Sequence, residues 1–376
     1  MGVIQKPPPR RIAREIAIGN VKIGGNHPIA IQSMCTTKTH DVDGTVTQIL
    51  ALKEAGCDIV RVAVPDDKAV AALPDIIRQI NMPLIADIHF NARLAIRSIE
   101  NGVDKIRINP GNMAVDKIDE VLQVASEADI PVRIGINAGS LERDLVNKYG
   151  HPTAEAMVES TLRWLALFEE KGFEKIVLSL KSSSVQASIE AQQLVAQKTN
   201  YPLHIGVTDA GTLLSGIVKT SIGLSTLLRE GIGDTMRVSI NEDPVTQVKV
   251  AKAILKTLNL RGGEPEVISC SSCGRAEADI RKIALEVEER AEALNEPLKI
   301  AVMGCTVSAA GEAREADYGI GCGRGKGAIF KKGVVIKTVP EHALVSELFD
   351  IIDNDIKDIN DSRKSDAERE RDTVAL

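Results

Sequence analysis

The chain has 376 residues, 44% of them hydrophobic, so it can bury a sizeable core and is longer than one domain usually needs. A formal net charge of −6, with only one Trp, three Tyr and five Phe, argues against a general nucleic-acid binder, because the charge repels polyanions and few rings remain to stack on bases. No apolar run reaches membrane-spanning length, and Gln5-Lys6-Pro7-Pro8-Pro9-Arg10-Arg11 lacks the apolar core of a signal peptide, so a cytoplasmic protein is expected, with no membrane partner.

Along the chain, Ile16–Gly25 alternates like a Gly-rich hairpin, placed to plug the floor of the fold that follows. β-Branched and aliphatic runs then recur at Ile29–Met34, Asp58–Val64, Leu84–His89, Lys105–Asn109, Val132–Asn137, Lys175–Lys181, Leu203–Asp209 and Met236–Ile240. Between them lie stretches with helical spacing: Gly44–Ala55, Asp67–Gln79, Ala92–Asn101, Val115–Ser126, Ala154–Lys171, Val185–Lys198, Thr212–Glu230 and Pro244–Leu258. Strand–helix alternation repeated in this way predicts a (β/α)8 TIM barrel. A doubly wound open sheet is the rival, but it needs a Gly-rich phosphate turn after its first strand, and none stands there.

The pattern breaks at Arg261-Gly262-Gly263-Glu264-Pro265, which reads as a linker. A smaller α/β unit follows: strand Glu266–Ser269, helix Ala278–Ala293, strand Leu298–Met303, hairpin Ala328–Lys337 and helix Glu341–Asn354. Residues 1–260 are assigned to the barrel and 264–358 to the second domain. Residues 359–376 are assigned to a disordered tail, because Ser362 to Leu376 is charged and lacks apolar periodicity.

Active sites of such barrels sit at the C-terminal strand ends. Those ends carry Gln32 and Ser33, Arg61, Asp87 and His89, Arg107 and Asn109, Arg133 and Asn137, Ser179 and Lys181, His204 and Asp209, then Arg237 and Ser239. A single Arg there reads equally well as a partner for a loop carboxylate. Arg61, Arg107, Arg133, Lys181 and Arg237 on one rim would repel one another unless an anion neutralises them, and Arg matches phosphate oxygens bidentately, so a diphosphate is the expected ligand. Asp209, closing Gly206-Val207-Thr208-Asp209, is the candidate general acid or base; the alternative is that it only orients an Arg. His89 and His204 read as core histidines bonded to carbonyls, and Cys35 and Cys57 as small buried apolar residues.

Cys270-Ser271-Ser272-Cys273, Cys305 in Val302-Met303-Gly304-Cys305, and Glu312 in Gly311-Glu312-Ala313 carry the other chemistry. Three thiolates and one weak oxygen ligand would hold an iron–sulfur cluster and leave one iron open to a substrate. A zinc site would call for a second C-x2-C pair, and none exists. Cys322 keeps an all-thiolate cluster open as an alternative, although it lies in the glycine stretch Gly319 to Gly325, which reads as mobile.

Long strings along the chain bring a family into view. Ala55-Gly56-Cys57-Asp58-Ile59-Val60-Arg61-Val62-Ala63-Val64-Pro65, Ala86-Asp87-Ile88-His89-Phe90, Arg107-Ile108-Asn109-Pro110-Gly111-Asn112, Arg133-Ile134-Gly135-Ile136-Asn137-Ala138-Gly139-Ser140-Leu141 and Gly231-Ile232-Gly233-Asp234-Thr235-Met236-Arg237-Val238-Ser239 closely resemble the 4-hydroxy-3-methylbut-2-enyl diphosphate synthases of the non-mevalonate isoprenoid pathway. The likeness covers Arg11 to about Glu347 and implies the bacterial two-domain form, a TIM barrel followed by a reductase-like iron–sulfur domain. It implies reduction of 2-C-methyl-D-erythritol 2,4-cyclodiphosphate by two electrons with loss of water. By resemblance, Arg61, Arg107, Arg133, Asn137, Lys181, Arg237 and Ser239 hold the substrate, while Cys270, Cys273, Cys305 and Glu312 ligate a [4Fe–4S] cluster. A head-to-tail homodimer, and flavodoxin or ferredoxin as electron donor, follow from the same resemblance.

The chain departs from the family pattern in places. It reads Ser308-Ala309-Ala310 where the family has Asn-Gly-Pro, Asp209 where it has Glu, Ser271 where it has Pro, and Cys35 where it has Thr. Two other functions compete on these grounds: a non-catalytic iron–sulfur sensor, suggested by the altered loop, and a Schiff-base lyase acting on a phosphorylated sugar through Lys181.

Overall fold

The computed structural model describes residues 9–374 except 264, 295, 306–310, 312 and 313, with the side chains of 360 and 362–374 also left aside. The chain divides at Arg261 and Gly262 into two compact units.

In the first unit the hairpin β1 (Ile16–Ile18) and β2 (Val21–Ile23) precedes eight parallel strands: β3 (Ala30–Met34), β4 (Ile59–Ala63), β5 (Leu84–Ile88), β6 (Lys105–Ile108), β7 (Val132–Asn137), β8 (Ile176–Lys181), β9 (His204–Ile205) and β10 (Thr235–Met236). They run β8-β7-β6-β5-β4-β3-β10-β9, and a parallel bridge between Leu178 and Leu203 joins the two ends. The ring is the predicted barrel and excludes an open sheet.

The surrounding helices are α1 (Val42–Glu54), α2 (Asp67–Ile77), α3 (Ala92–Glu100), α4 (Val115–Glu127), the short α5 (Arg143–Tyr149), α6 (Ala154–Glu170), α7 (Val185–Lys198), α8 (Leu213–Arg229) and α9 (Pro244–Thr257). Several start where a side-chain oxygen caps a free N–H: Asp41 accepts from Gly44, Asp66 from Ala69, Thr153 from Ala156 and Ser184 from Ala187. Strand residues that face outward, such as Val60, Val62, Ile106, Ile134 and Leu178, are fully buried beneath these helices.

Inside the barrel, period-2 alternation stacks layers. Ala30, Ile59, Ile85 and Val177 pack against Ile16, Ile18 and Ile23 of the hairpin, which therefore closes the floor. Two residues further along the same strands stand Gln32, Arg61, Asp87 and Ser179, all buried. On these four strands polar and charged side chains thus begin one layer above an apolar plug.

The second unit holds a five-stranded sheet in the order β11 (Glu266–Ser269), β12 (Lys299–Met303), β13 (Tyr318–Gly323), β14 (Lys326–Lys331), β15 (Val334–Pro340). β11, β12 and β13 are parallel, and the last three strands form an antiparallel meander. Helices α10 (Ile280–Ala291) and α11 (Leu344–Val374) cover one face through Ile283, Val287, Leu348, Phe349 and Ile352.

One expectation is corrected here. The glycine stretch taken as mobile is the central strand β13: Tyr318, Ile320 and Cys322 alternate into the core, and Gly319 sits where a Cβ would come within 3.0 Å of the Ala301 carbonyl oxygen. Helix α11 runs through to Val374, across most of the segment assigned from the sequence to a tail; Lys364, Ala367, Glu368, Arg369, Glu370 and Arg371 are strong helix formers that need no apolar face to propagate an existing helix. Among the described residues no helix is long and apolar enough to cross a membrane.

Candidate functional site

Arg61 on β4, Asp87 on β5, Arg107 on β6, Arg133 on β7, Lys181 on β8 and Arg237 just past β10 meet inside the barrel. Asp87 sits at the middle of the cations. Its Oδ2 is 3.8 Å from Arg61 Nε and its Oδ1 is 3.2 Å from Arg107 Nη1. The His89 ring lies 3.5 Å from the same carboxylate and 2.9 Å from Arg107 Nη1. Burial alone would raise the Asp87 pKa, but Arg61, the His89 bond, Arg107 and Arg133 together outweigh it and hold the carboxyl well below the usual range. Asp87 is therefore ionised at any working pH, and one negative charge faces several positive ones.

Several polar atoms in this interior, most of them donors, have no partner. Buried Arg107 Nε, Arg133 Nε and Nη1, Arg237 Nε and both amide atoms of Gln32 make no hydrogen bond. Buried polar groups are rarely left so, and a cluster of them marks where a ligand's acceptors belong. The cations feel the crowding: burial first, then Arg61 and Arg107, pushes Arg133 well below its ordinary value, and burial followed by Arg133 and Arg237 does the same to Lys181. Arginine keeps its proton even so, which makes an anion the natural remedy.

Two glycines make room for this charge. A Cβ on Gly135 would lie 2.4 Å from Arg107 Nε, and one on Gly206 would lie 2.7 Å from Lys181 Nζ. Lys181 Nζ in turn stands 3.1 Å from His204 Nε2, and His204 Nδ1 is 2.8 Å from Thr235 Oγ1. His204 is fully buried, as read from the sequence, but its partners are side chains and not carbonyls. Burial, then Lys181 and Arg133, holds it neutral.

The remaining barrel candidates stand at the mouth. Asn137 ends β7, and its carbonyl accepts from Ser140 Oγ at 3.3 Å. The Ser239 carbonyl receives the Ala210 N–H at 3.4 Å. Asp209 is exposed, with a left-handed backbone at φ 50°, an unusual conformation for a residue other than glycine and one often found at functional sites. Among the described residues no ion pair ties Asp209 to an Arg, so the orienting role weighed from sequence is not seen; Asp87 fills it. The sequence marks Asp87 at a strand end without giving it a role, and its reading of His89 as a core histidine bonded to a carbonyl is corrected: the ring is 44% exposed and its partners are the Asp87 carboxylate and the Arg107 guanidinium. Lys105 carries a signal that reading passes over, its position two residues before Arg107 on one strand face.

In the second unit Cys270 follows β11 and Cys305 follows β12, adjacent parallel strands whose ends lie side by side. With Cys273, Ser271, Ser272, Arg275, Ala276 and Gly304 they wall a cavity of about 110 Å³. Gly304 donates its N–H to Cys270 Sγ at 3.2 Å, which ties the loop after β12 to the one after β11. A Cβ on Gly304 would lie 2.7 Å from Ile280 Cγ1, so the loop approaches α10 only with glycine there. Among the described residues no three of His, Cys, Asp and Glu converge closely enough for a single metal ion. Three thiols around a cavity fit a polynuclear cluster better than one zinc ion.

Glu312, named as fourth ligand and catalytic group, lies outside the described residues, as does Ser308-Ala309-Ala310. Cys322 is buried in the sheet core, and burial, with Glu341 and Cys270 adding, pushes its thiol up to about 11. It does not line the cavity. Cys35 and Cys57 are buried thiols pushed up to about 12 by desolvation, in keeping with their reading as small core residues.

A family model described as the GcpE TIM-barrel domain matches residues 13–252, and one described as the GcpE protein C-terminal domain matches residues 266–354. A relative from Caldanaerobacter subterraneus subsp. tengcongensis, named 4-hydroxy-3-methylbut-2-en-1-yl diphosphate synthase (flavodoxin), is 55% identical over 93% of this chain and 99% of its own. A relative of the same name from Lysinibacillus sphaericus is 50% identical over 95% of this chain and 96% of its own. Among solved structures, dihydropteroate synthase from Stenotrophomonas maltophilia aligns with a TM-score of 0.48 and 11% identity over 64% of this chain and 98% of that one. With both domain models matched in order across nearly its whole length, this chain belongs to the GcpE family.

Proposed function

We propose that this protein opens 2-C-methyl-D-erythritol 2,4-cyclodiphosphate by two-electron reduction, releasing water and 4-hydroxy-3-methylbut-2-enyl diphosphate for isoprenoid synthesis, with flavodoxin, the donor in its relatives' name, supplying the electrons. The observation that carries the reading is the barrel interior, where buried cations with unpartnered N–H groups surround one ionised carboxylate and call for a multiply charged anion. The lyase and sensor alternatives give way to it, since relatives sharing half or more of their residues over almost the full chain bear the synthase name.

In this reading Arg61, Arg107, Arg133, Asn137, Lys181, Arg237 and Ser239 bind the cyclic diphosphate. Asp87 holds Arg61 and Arg107 in position before the ligand arrives, so little reorganisation is needed on binding. Asp209 at the mouth gives a proton to the oxygen that leaves as water, and Gly206 and Gly135 keep Lys181 and Arg107 from being displaced. Cys270, Cys273 and Cys305 hold three irons of a [4Fe–4S] cluster, with Glu312 as the weaker fourth ligand. When bound, the cluster supplies single electrons and a Lewis-acidic iron. A head-to-tail homodimer in the cytoplasm completes the proposal.

Anaerobic reconstitution followed by Mössbauer spectroscopy tests it. One iron should differ from the other three and shift on addition of the cyclic diphosphate, and reduced flavodoxin should then yield the linear product. Four equivalent thiolate-bound sites would sink the Glu312 assignment.

A further inference from the structure

Lys105 occupies a place in the barrel made for an aliphatic side chain. In register it stands beside Ile85, a member of the apolar floor layer with Ala30, Ile59 and Val177. It is fully buried, and its Nζ has no hydrogen-bond partner. The charged or titratable groups facing it are Arg61 from β4 and Arg133 from β7, both cations, and the His204 ring from β9, which is neutral. Asp104, next in sequence, spends its carboxylate on the Leu84 N–H at 2.8 Å.

Lys181 is in a similar position two layers higher, four residues beyond Val177 on β8. It is buried among Arg61, Arg107, Arg133 and Arg237, with His204 at 3.1 Å as its hydrogen-bond partner. Asp87, the carboxylate in this interior, is already taken by Arg61, Arg107 and His89. The four arginines cannot give up their protons, whereas a lysine does so readily when buried.

We propose that Lys105 and Lys181 stand neutral in the empty barrel and each take up a proton from solvent when the diphosphate binds, so that anion binding and protonation of the barrel are one coupled event. The lone pair of each amine accepts H⁺ to become an ammonium. The incoming negative charge, absent beforehand, offsets the new positive one. This rests on the diphosphate reading above and adds what it lacks, a reason for two lysines in a site that arginine alone could make cationic. Burial and neighbouring arginines lower both lysines well below their ordinary value, in keeping with the geometry. Linkage then requires affinity to weaken as pH rises, by about tenfold per pH unit for each proton taken up.

Isothermal titration of the cluster-loaded, full-length protein with the cyclic diphosphate, anaerobically and without an electron donor, reads this directly. The ligand's own phosphate protons are strongly acidic, so any proton exchanged near pH 7.5 belongs to the protein. Binding enthalpies measured in buffers of different ionisation enthalpy should show uptake of about two protons. Lys105→Met should remove about one of them. Binding whose enthalpy is independent of buffer overturns the coupling and leaves the diphosphate reading intact; absence of binding overturns that reading and the coupling with it. Uptake undiminished in a folded Lys105→Met variant overturns the assignment to Lys105.

Discussion

Each positive charge in the barrel stands on a strand, or one residue past its end, where neighbouring strands fix its height and direction. The thiols of Cys270, Cys273 and Cys305 stand instead on loops beyond β11 and β12, where the sheet brings the chain to one edge and stops. A diphosphate needs donors at fixed separations, and rigid strands provide them at little entropic cost on binding. A cluster forms several metal–sulfur bonds as it enters, and those bonds can order a loop that the protein alone leaves loose. In the proposed reading the first site is organised before its ligand arrives, while the second would be completed by it.

The largest effect expected from this contrast follows loss of a thiol. Cys305→Ser should abolish turnover and bound iron together, yet leave cyclic diphosphate affinity within about twofold, because the residues proposed to hold the anion lie in the other unit. Iron analysis, an anaerobic product assay and calorimetry on one preparation check it. A collapse of affinity in that variant would break the comparison, by showing that the barrel site is not assembled independently.

Next in size come two glycines doing the same job in the two regions. Gly135→Ala puts a methyl 2.4 Å from Arg107 Nε, and the guanidinium must move off Asp87. Affinity for the diphosphate should fall about 10- to 100-fold with iron content unchanged, since small misplacements of a positioning group have effects of that order. Gly304→Ala puts a methyl 2.7 Å from Ile280, a core residue of α10, and should cost the second unit about 1–3 kcal/mol by overpacking. Reduced iron occupancy with normal diphosphate affinity is the expected signature there. If the two variants gave the same pattern, the two regions would have to be energetically one.

The same contrast decides what could be read from the sequence. Strand ends are legible, because an aliphatic run followed by a charge says both where the strand lies and which end is functional; Arg61, Arg107, Arg133 and Lys181 were visible in this way. What lay hidden was cooperation across strands. Nothing in the order of residues says that Asp87 gathers Arg61, Arg107 and His89, or that the expected carbonyl partner of His204 is replaced by Lys181 and Thr235. In the second unit β13 was missed because Gly319, Gly321 and Gly323 occupy one of its faces, so the alternation Tyr318, Ile320, Cys322 was masked by residues that usually break strands. Cys322 was accordingly weighed as a ligand on a loose loop, when it is a core residue.

The smallest effect concerns Lys105 and separates stability from binding. Burial, then Arg133 and Arg61, holds its folded-state pKa well below the ordinary lysine range, whereas in the unfolded chain it titrates near about 10.4. Below that unfolded value the unfolded chain carries a proton that the folded barrel does not, so folding is opposed, and the opposition grows as pH falls towards the folded-state value. Raising the pH from 7 to 9.5 should therefore stabilise the ligand-free barrel relative to a Lys105→Met variant. At pH 7 the variant should be the more stable, by about 1–3 kcal/mol, since methionine fills the same space without an unsatisfied amine. Thermal unfolding of the barrel transition across that range is the measurement. A variant less stable than the parent at every pH would show that the amine has a stabilising partner in the free protein, and the barrel would then be ready for its ligand in charge as well as in shape.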